Sequence, residues 1–404
     1  MKLTMYMGRA GTGKSYACYE RIREIITTCP GEPIILLVPD PATYRTEREL
    51  AAFMPEGGFT TVRVVGFGRL AHQVFQSLGK AREDSLSDIG QKLVLRLLLK
   101  RHADKLEVLR RAASQPHFAD VWQGLLAECK AFRVTAEDLR TGADKVDSMG
   151  LAGKLRELAY IKEQYETMTD NLWGSDEDSM EELIRCIGDS PLLQQAHVIV
   201  DGFHWFTPLQ NILIQRMFAL AKESILTVTL PADTEPERYA RPGQLFYRPY
   251  EVYATYKERY GKQLLVRRFT KQHRFQSPVL EALEKGYFAY PSQGNQSKDT
   301  VAVVRAYNRE REVDAICRRI SSLVREEGYR WRDITIMLRE SETYGDILEK
   351  GLAQYGIPFF TDRRHPMRSH PLPELLTGLL EILQSRFNTD ELFRLIKTDF
   401  FPLL

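Results

Sequence analysis

At 404 residues, with 43% hydrophobic and 27% charged side chains, the chain is too long for one typical domain and is composed like a globular protein with two or three cores. No stretch reaches the roughly 18 consecutive apolar residues of a membrane span, and Met1 to Met7 lacks a secretory pattern, so a cytoplasmic protein without membrane contact is expected. The net charge of +2 is unevenly spread: residues 1–111 carry 18 basic and 12 acidic groups, residues 112–200 carry 8 and 16, and the remainder 30 and 26. A basic first segment suits nucleic acid and nucleotide, as it also suits an ordinary solvated surface.

In chain order, LTMYM reads as a strand, Lys14 to Thr28 as a helix, PIILLV as a strand, Pro41 to Phe53 as a helix, TVRVV as a strand and Phe67 to Leu78 as a helix. Strands alternating with helices are how a parallel sheet covered by helices reads. From about Ser85 to Ser190 the strand signal stops. LVLRLLL, WQGLLAECKAF and LRELAYIKEQYETM repeat apolar residues at helical spacing, which marks a helical insertion. HVIVDGF, the helix Pro208 to Ala221 and the strand ILTVTL then resume the sheet. The polar segment YPSQGNQSKD, 290–299, marks a boundary. After it TVAVVRAY, a helix Glu310 to Glu326, DITIML, a helix Thr343 to Gln354 and IPFF repeat the strand–helix rhythm.

The fold class expected is therefore α/β: a P-loop (RecA-like) parallel sheet with a helical insertion, followed by a second, partial RecA-like domain. The expected division is 1–84 and 191–290 for the two parts of the first domain, 85–190 for the insertion, 300–370 for the second domain and 371–404 for the start of a further helical region. Cys18, Cys29, Cys129, Cys186 and Cys317 lie far apart without a C-x-x-C pair and read as small core side chains.

GRAGTGKS, Gly8 to Ser15, matches G-x-x-x-x-G-K-[ST] between a strand and a helix. Gly8, Gly11 and Gly13, with Arg9, Ala10 and Thr12 between them, let the backbone N–H groups turn toward phosphate, and the following helix aims its positive end there. Lys14 supplies a charge for the β- and γ-phosphates of ATP, and the Ser15 hydroxyl a Mg²⁺ position. The bland alternative is a glycine turn. A second Mg²⁺ position belongs to an Asp at the end of an apolar strand, and VIVDG supplies Asp201; the competing reading is a plain Asp-Gly turn. Motors that hydrolyse ATP commonly carry Glu next, to orient water. Here Gly202 follows, so no catalytic residue is assigned.

Taken together, GRAGTGKS, LVPDPATY, VVGFGRLA, the helical insertion, VIVDGFHWFTPLQ, RAYNREREVDAI and YGIPFFTD resemble the N-terminal helicase-like region of AddB, the partner of AddA in a bacterial helicase-nuclease. More remotely they are similar to superfamily-1 helicases. The resemblance implies an AddA-type partner, single- and double-stranded DNA as ligands, double-strand break processing and recognition of the Chi sequence. It also implies a nuclease domain with an iron–sulfur cluster beyond Leu404. The adenine-reading Gln and the Gly-Asp…Gln coupling motif of working motors are absent, and Arg274 in KQHRFQSP is the remaining candidate for a phosphate arginine. A motor-inactive, ATP-binding region is expected. The alternatives are an active DNA-stimulated ATPase and a nucleotide-stabilised scaffold for the partner.

For DNA, three loops after strands carry suitable side chains: Thr43 and Tyr44; Phe67, Arg69 and His72; His204, Trp205 and Phe206. Aromatic faces stack on bases, while Arg69 and Thr43 can hold phosphates or base edges. The resemblance carries Thr43, Phe67, Arg69 and Phe206 over as Chi-reading positions, with His72 standing where relatives more often have Trp. The competing reading makes Phe67 and Phe206 core residues. The acidic run Asp176 to Glu182 reads as a solvated loop or helix start.

Overall fold

The computed structural model describes residues 2–55, 57–80, 86–115, 117–169, 176–288, 301–363, 367 and 370–400. Contacts divide the chain into two compact units, Met1–Ser297 and Lys298–Leu404. The polar segment 290–299, where the sequence puts a boundary, lies outside the described residues.

The first unit is built on β1 (Leu3–Gly8), α1 (Lys14–Thr28), β2 (Ile34–Leu37), α2 (Thr43–Phe53), β3 (Val62–Val65) and α3 (Phe67–Ser77). The insertion contributes α4 (Asp88–Arg101), α5 (Arg110–Ala113), α6 (Phe118–Ala131), α7 (Ala136–Asp144), α8 (Met149–Met168) and α9 (Asp176–Cys186). The sheet resumes with β4 (His197–Val200), α10 (Pro208–Leu220), β5 (Glu223–Thr229), α11 (Tyr247–Tyr260), β6 (Leu264–Phe269) and α12 (Pro278–Gly286). The strand order is β3-β2-β4-β5-β1-β6, and every pairing is parallel. This is the α/β, RecA-like parallel sheet that the strand–helix rhythm calls for.

Both sheet faces are covered, which is why β1, β2, β4 and β5 are near-continuous apolar runs rather than alternating ones. Met5, Met7, Leu37, Val200 and Leu226 face α3 and α10, while Tyr6, Leu36 and Ile199 face α1 and α2. Because all six strands run the same way, the loops after them gather at one sheet edge. Of the six strands, edge strand β6 is the one that the sequence reading leaves out, and helices α11 and α12 beside it are left out as well. No residue of β6 is fully buried, and Arg267 and Arg268 are both exposed, so no buried apolar run betrays it.

The insertion has its own core, in which Leu95, Leu98 and Leu99 of α4 meet Trp122 and Leu126 of α6 and Ile161 and Tyr165 of α8. Asp176 opens helix α9, the helix start that the sequence allows, but from Asp178 to Glu182 this helix is half-buried or buried rather than solvated. Its Leu183 and Cys186 join the core of the sheet, Asp178 pairs with Lys130 of α6, and Glu182 bonds Lys80 at 2.6 Å. An acidic first turn is itself favourable at a helix N-terminus.

The second unit holds α13 (Arg309–Glu326), α14 (Ser341–Gln354), α15 (Pro371–Gln384) and α16 (Thr389–Ile396). Val313, Cys317 and Ile320 pack on Leu348, Leu352 and Ile357. Among the described residues, 301–307, 334–338 and 357–360 form no ladder, although their sequences are strand-like. β-branched composition favours an extended backbone, but a strand exists only where a neighbour takes its hydrogen bonds.

Candidate nucleotide site

Residues Gly8 to Ser15 leave the end of β1 and turn into α1. Helix α1 has no side-chain cap and no acidic residue in its first turn, so its leading N–H groups are left for an anion. Thr12 Oγ1 donates to the Arg9 carbonyl at 2.9 Å, bracing the bend. Lys14 is buried, and its Nζ donates to the carbonyls of Gly8 at 2.7 Å and Arg9 at 2.9 Å. Burial lowers the Lys14 pKa to about 8; Asp201 opposes the shift, and Arg274 adds to it. Ser15 is exposed on the first turn.

Asp201 follows β4 and is buried. Its Oδ1 accepts a 2.6 Å hydrogen bond from Thr227 Oγ1 of the neighbouring β5, and its N–H continues the ladder to the Leu37 carbonyl. One carboxylate oxygen is thereby fixed, and the charge of Asp201 is felt at Lys14. Gly202 has φ +82°, a left-handed backbone in which a side chain is strained. Beneath the loop, burial pushes the Cys18 thiol far above its usual range, with Asp201 adding to this, so it stays protonated.

The residues after β6 cross the loop. Gln272 Nε2 donates to the Ala10 carbonyl at 2.9 Å, and the His273 N–H to the Gly11 carbonyl at 2.9 Å. A Cβ at Gly11 would collide with the Gln272 side chain and with Arg274 Cβ, so this close approach requires glycine. Arg9 turns outward: its Nε bonds both Glu284 oxygens at 2.9 Å, and its guanidinium lies 5.0 Å from the Phe246 ring centroid. Gln272, His273, Glu284, Phe246 and Thr227 are the partners that the sequence reading misses. Of these only Thr227, polar within the apolar run ILTVTL, leaves a local trace.

The DNA candidates divide by exposure. Arg69, His72, Tyr44, His204 and Trp205 are exposed, and Thr43 is half-buried with its hydroxyl on the Asp40 carbonyl. Phe67 and Phe206 are 8% and 6% exposed and belong to the core. Phe203 lies between them, with ring centroids 5.4 and 5.1 Å away. Their rings offer no free face. Trp205, 40% exposed, instead has Phe132 at 6.2 Å and the Arg248 guanidinium at 5.3 Å as ring neighbours.

A glycine-rich turn between β1 and α1, an acidic strand end and a parallel RecA-like sheet together make the architecture of a P-loop domain. The chain belongs to the AddB family: the sequence profile described as "ADDB, N-terminal" matches residues 5–284. Similar relatives are named as one subunit of an ATP-dependent helicase/deoxyribonuclease. They include one from Desulfitobacterium hafniense (strain Y51), 35% identical across 100% of this chain and 34% of the relative. Others come from Heliobacterium modesticaldum, 34% identical over 100% and 34%, and Geobacillus thermodenitrificans, 31% identical over 100% and 36%. The chain thus spans about a third of the length of these relatives. Among the described residues, no helix is long and apolar enough to cross a membrane.

Proposed function

We propose that this chain is the nucleotide-binding, motor-inactive region of a helicase-nuclease subunit that works with an AddA-type partner on broken double-stranded DNA and scans the released single strand for Chi. The observation that carries the reading is the pairing of a complete phosphate cradle with Gly202 at the position of the water-orienting carboxylate. Mg²⁺-ATP, when bound, supplies the phosphate charge and the ion that this cradle lacks. The chain's own residues supply the rest. Lys14 would exchange two loop carbonyls for phosphate oxygens, Ser15 and Asp201 would hold the ion, and the α1 N-terminus would meet the phosphates. Gly202 has no side chain to orient an attacking water, so binding is expected without appreciable turnover.

For the strand, support comes from the loops after β2, β3 and β4 sharing one sheet edge, with Tyr44, Arg69, His72 and Trp205 exposed there. Phe67 and Phe206 act by shaping these loops from below. The test is equilibrium binding of single strands with and without the Chi word by the chain in complex with its AddA-type partner. Arg69→Ala and Trp205→Ala should weaken binding, the first with a salt slope flatter by about 0.7 and the second by about tenfold with little salt dependence. Undiminished binding by both folded variants would contradict the assignment.

A further inference from the structure

A second feature lies on the flank of the phosphate loop. A cavity of about 680 Å³ opens between the segment after β5 and the end of α12, a size that accommodates a nucleotide. Its walls combine aromatic faces, Tyr239, Phe246, Tyr287 and Phe288, with the cations Arg238 and Lys285 and one carboxylate, Asp233. Tyr239 and Phe246 meet edge-on at 5.2 Å, and Tyr287 and Phe288 at 4.7 Å, so each pair fixes the orientation of its rings. Phe288 is 78% exposed and has φ +62°, a backbone region that bulky side chains rarely occupy. A strained aromatic kept open to solvent is the reverse of what packing favours, and strain of this kind gathers at binding sites.

Arg9 alone connects the cavity with the cradle. None of Gly11 to Ser15 lines it, so the cavity lies beside the phosphate loop rather than within it. Lys285 is paired with Glu281 at 2.7 Å on the helix surface, an exposed pair that a phosphate can displace. The segment after β5 emerges at the same sheet edge as the loops after β2, β3 and β4.

We infer that this cavity binds one nucleotide of a single DNA strand, its base against Tyr287 and Phe288 and its phosphate on Arg238 and Lys285, at the same sheet edge as the loops of Thr43, Arg69 and Trp205 but on residues separate from them. The inference rests on the single-strand reading above for the class of its ligand. Aromatic faces accept any base, so this contact is tolerant of sequence and serves grip rather than word recognition.

The experiment titrates a fluorescent oligothymidylate against the parent chain, the Tyr287→Ala/Phe288→Ala variant and Lys285→Ala, with thermal melting to verify folding. The double variant should bind about tenfold to a hundredfold more weakly. Lys285→Ala should flatten the salt slope by about 0.7. A strand carrying bromouracil should photocrosslink to the peptide containing Tyr287 in the parent. If the parent binds the strand and both folded variants match it, the cavity assignment falls while the loop-edge reading stands. If the parent binds no strand, both fall. If the double variant loses affinity for Mg²⁺-ATP and keeps it for the strand, the cavity belongs to the nucleotide of the phosphate loop and the inference is overturned.

Discussion

Lys14 is held at about 8 by burial, against an ordinary value of 10.5. Between those two pH values the unfolded chain keeps a proton that the folded chain releases, so stability from this group rises with pH across the window, and its cost is fully present below it. Phosphate reverses the balance by favouring the ammonium. Near pH 8 nucleotide binding should therefore take up about half a proton at Lys14, read as a dependence of calorimetric binding heat on buffer ionisation enthalpy. Lys14→Arg keeps its charge at every accessible pH and should abolish the uptake. An equal uptake in that variant would assign the proton to another group. Gly202 gives a second test at this scale. Gly202→Glu restores the carboxylate type of a working motor, but at φ +82° and with Pro39 Cδ 3.4 Å from any Cβ. It should lower stability by about 1 kcal/mol or more without conferring turnover; a gain in ATP turnover would show that the backbone adapts.

Among the elements, the short helix α5 depends on a residue far along the chain. Glu157 of α8 is buried, and its carboxylate accepts the backbone N–H groups of Glu107 and Val108 at 2.7 Å and of Leu109 at 3.0 Å. Glu157→Ala strands three donors, and its urea midpoint should fall by an amount equivalent to about 2–3 kcal/mol, with nucleotide affinity unchanged; a shift within error would mean that water replaces the carboxylate. Dependences of this kind, between residues far apart in the chain, are what the sequence does not make legible. The strand–helix rhythm, the insertion and the cradle from Gly8 to Ser15 are local patterns, set by apolar spacing and turn chemistry. Gln272 on Ala10 lies 262 positions away and Glu284 on Arg9 lies 275 away, and no local pattern encodes either. Phe67 looks alike in sequence whether it stacks on a base or on Phe203. Its burial is decided by α3 folding back on the sheet.

For the molecule as a whole, the sheet brings distant segments to one edge, so that the phosphate-loop motif and the exposed loops after β2, β3 and β4 share a single scaffold. Helix α9 ties the insertion to that scaffold through Lys130–Asp178 and Lys80–Glu182. Charge reversal at Asp178 and Glu182 should accordingly loosen the insertion, seen as a separate early thermal transition; a single unshifted transition would make these pairs dispensable. The central claim is a cradle that binds Mg²⁺-ATP without driving a motor, and one paired measurement on the same purified chain addresses it: equilibrium binding of Mg²⁺-ATP alongside its turnover with saturating single strand. The expected result is saturable binding, lost in Lys14→Ala, with turnover far below about one per second. Turnover at or above that rate, or binding that survives the loss of Lys14, would contradict the account.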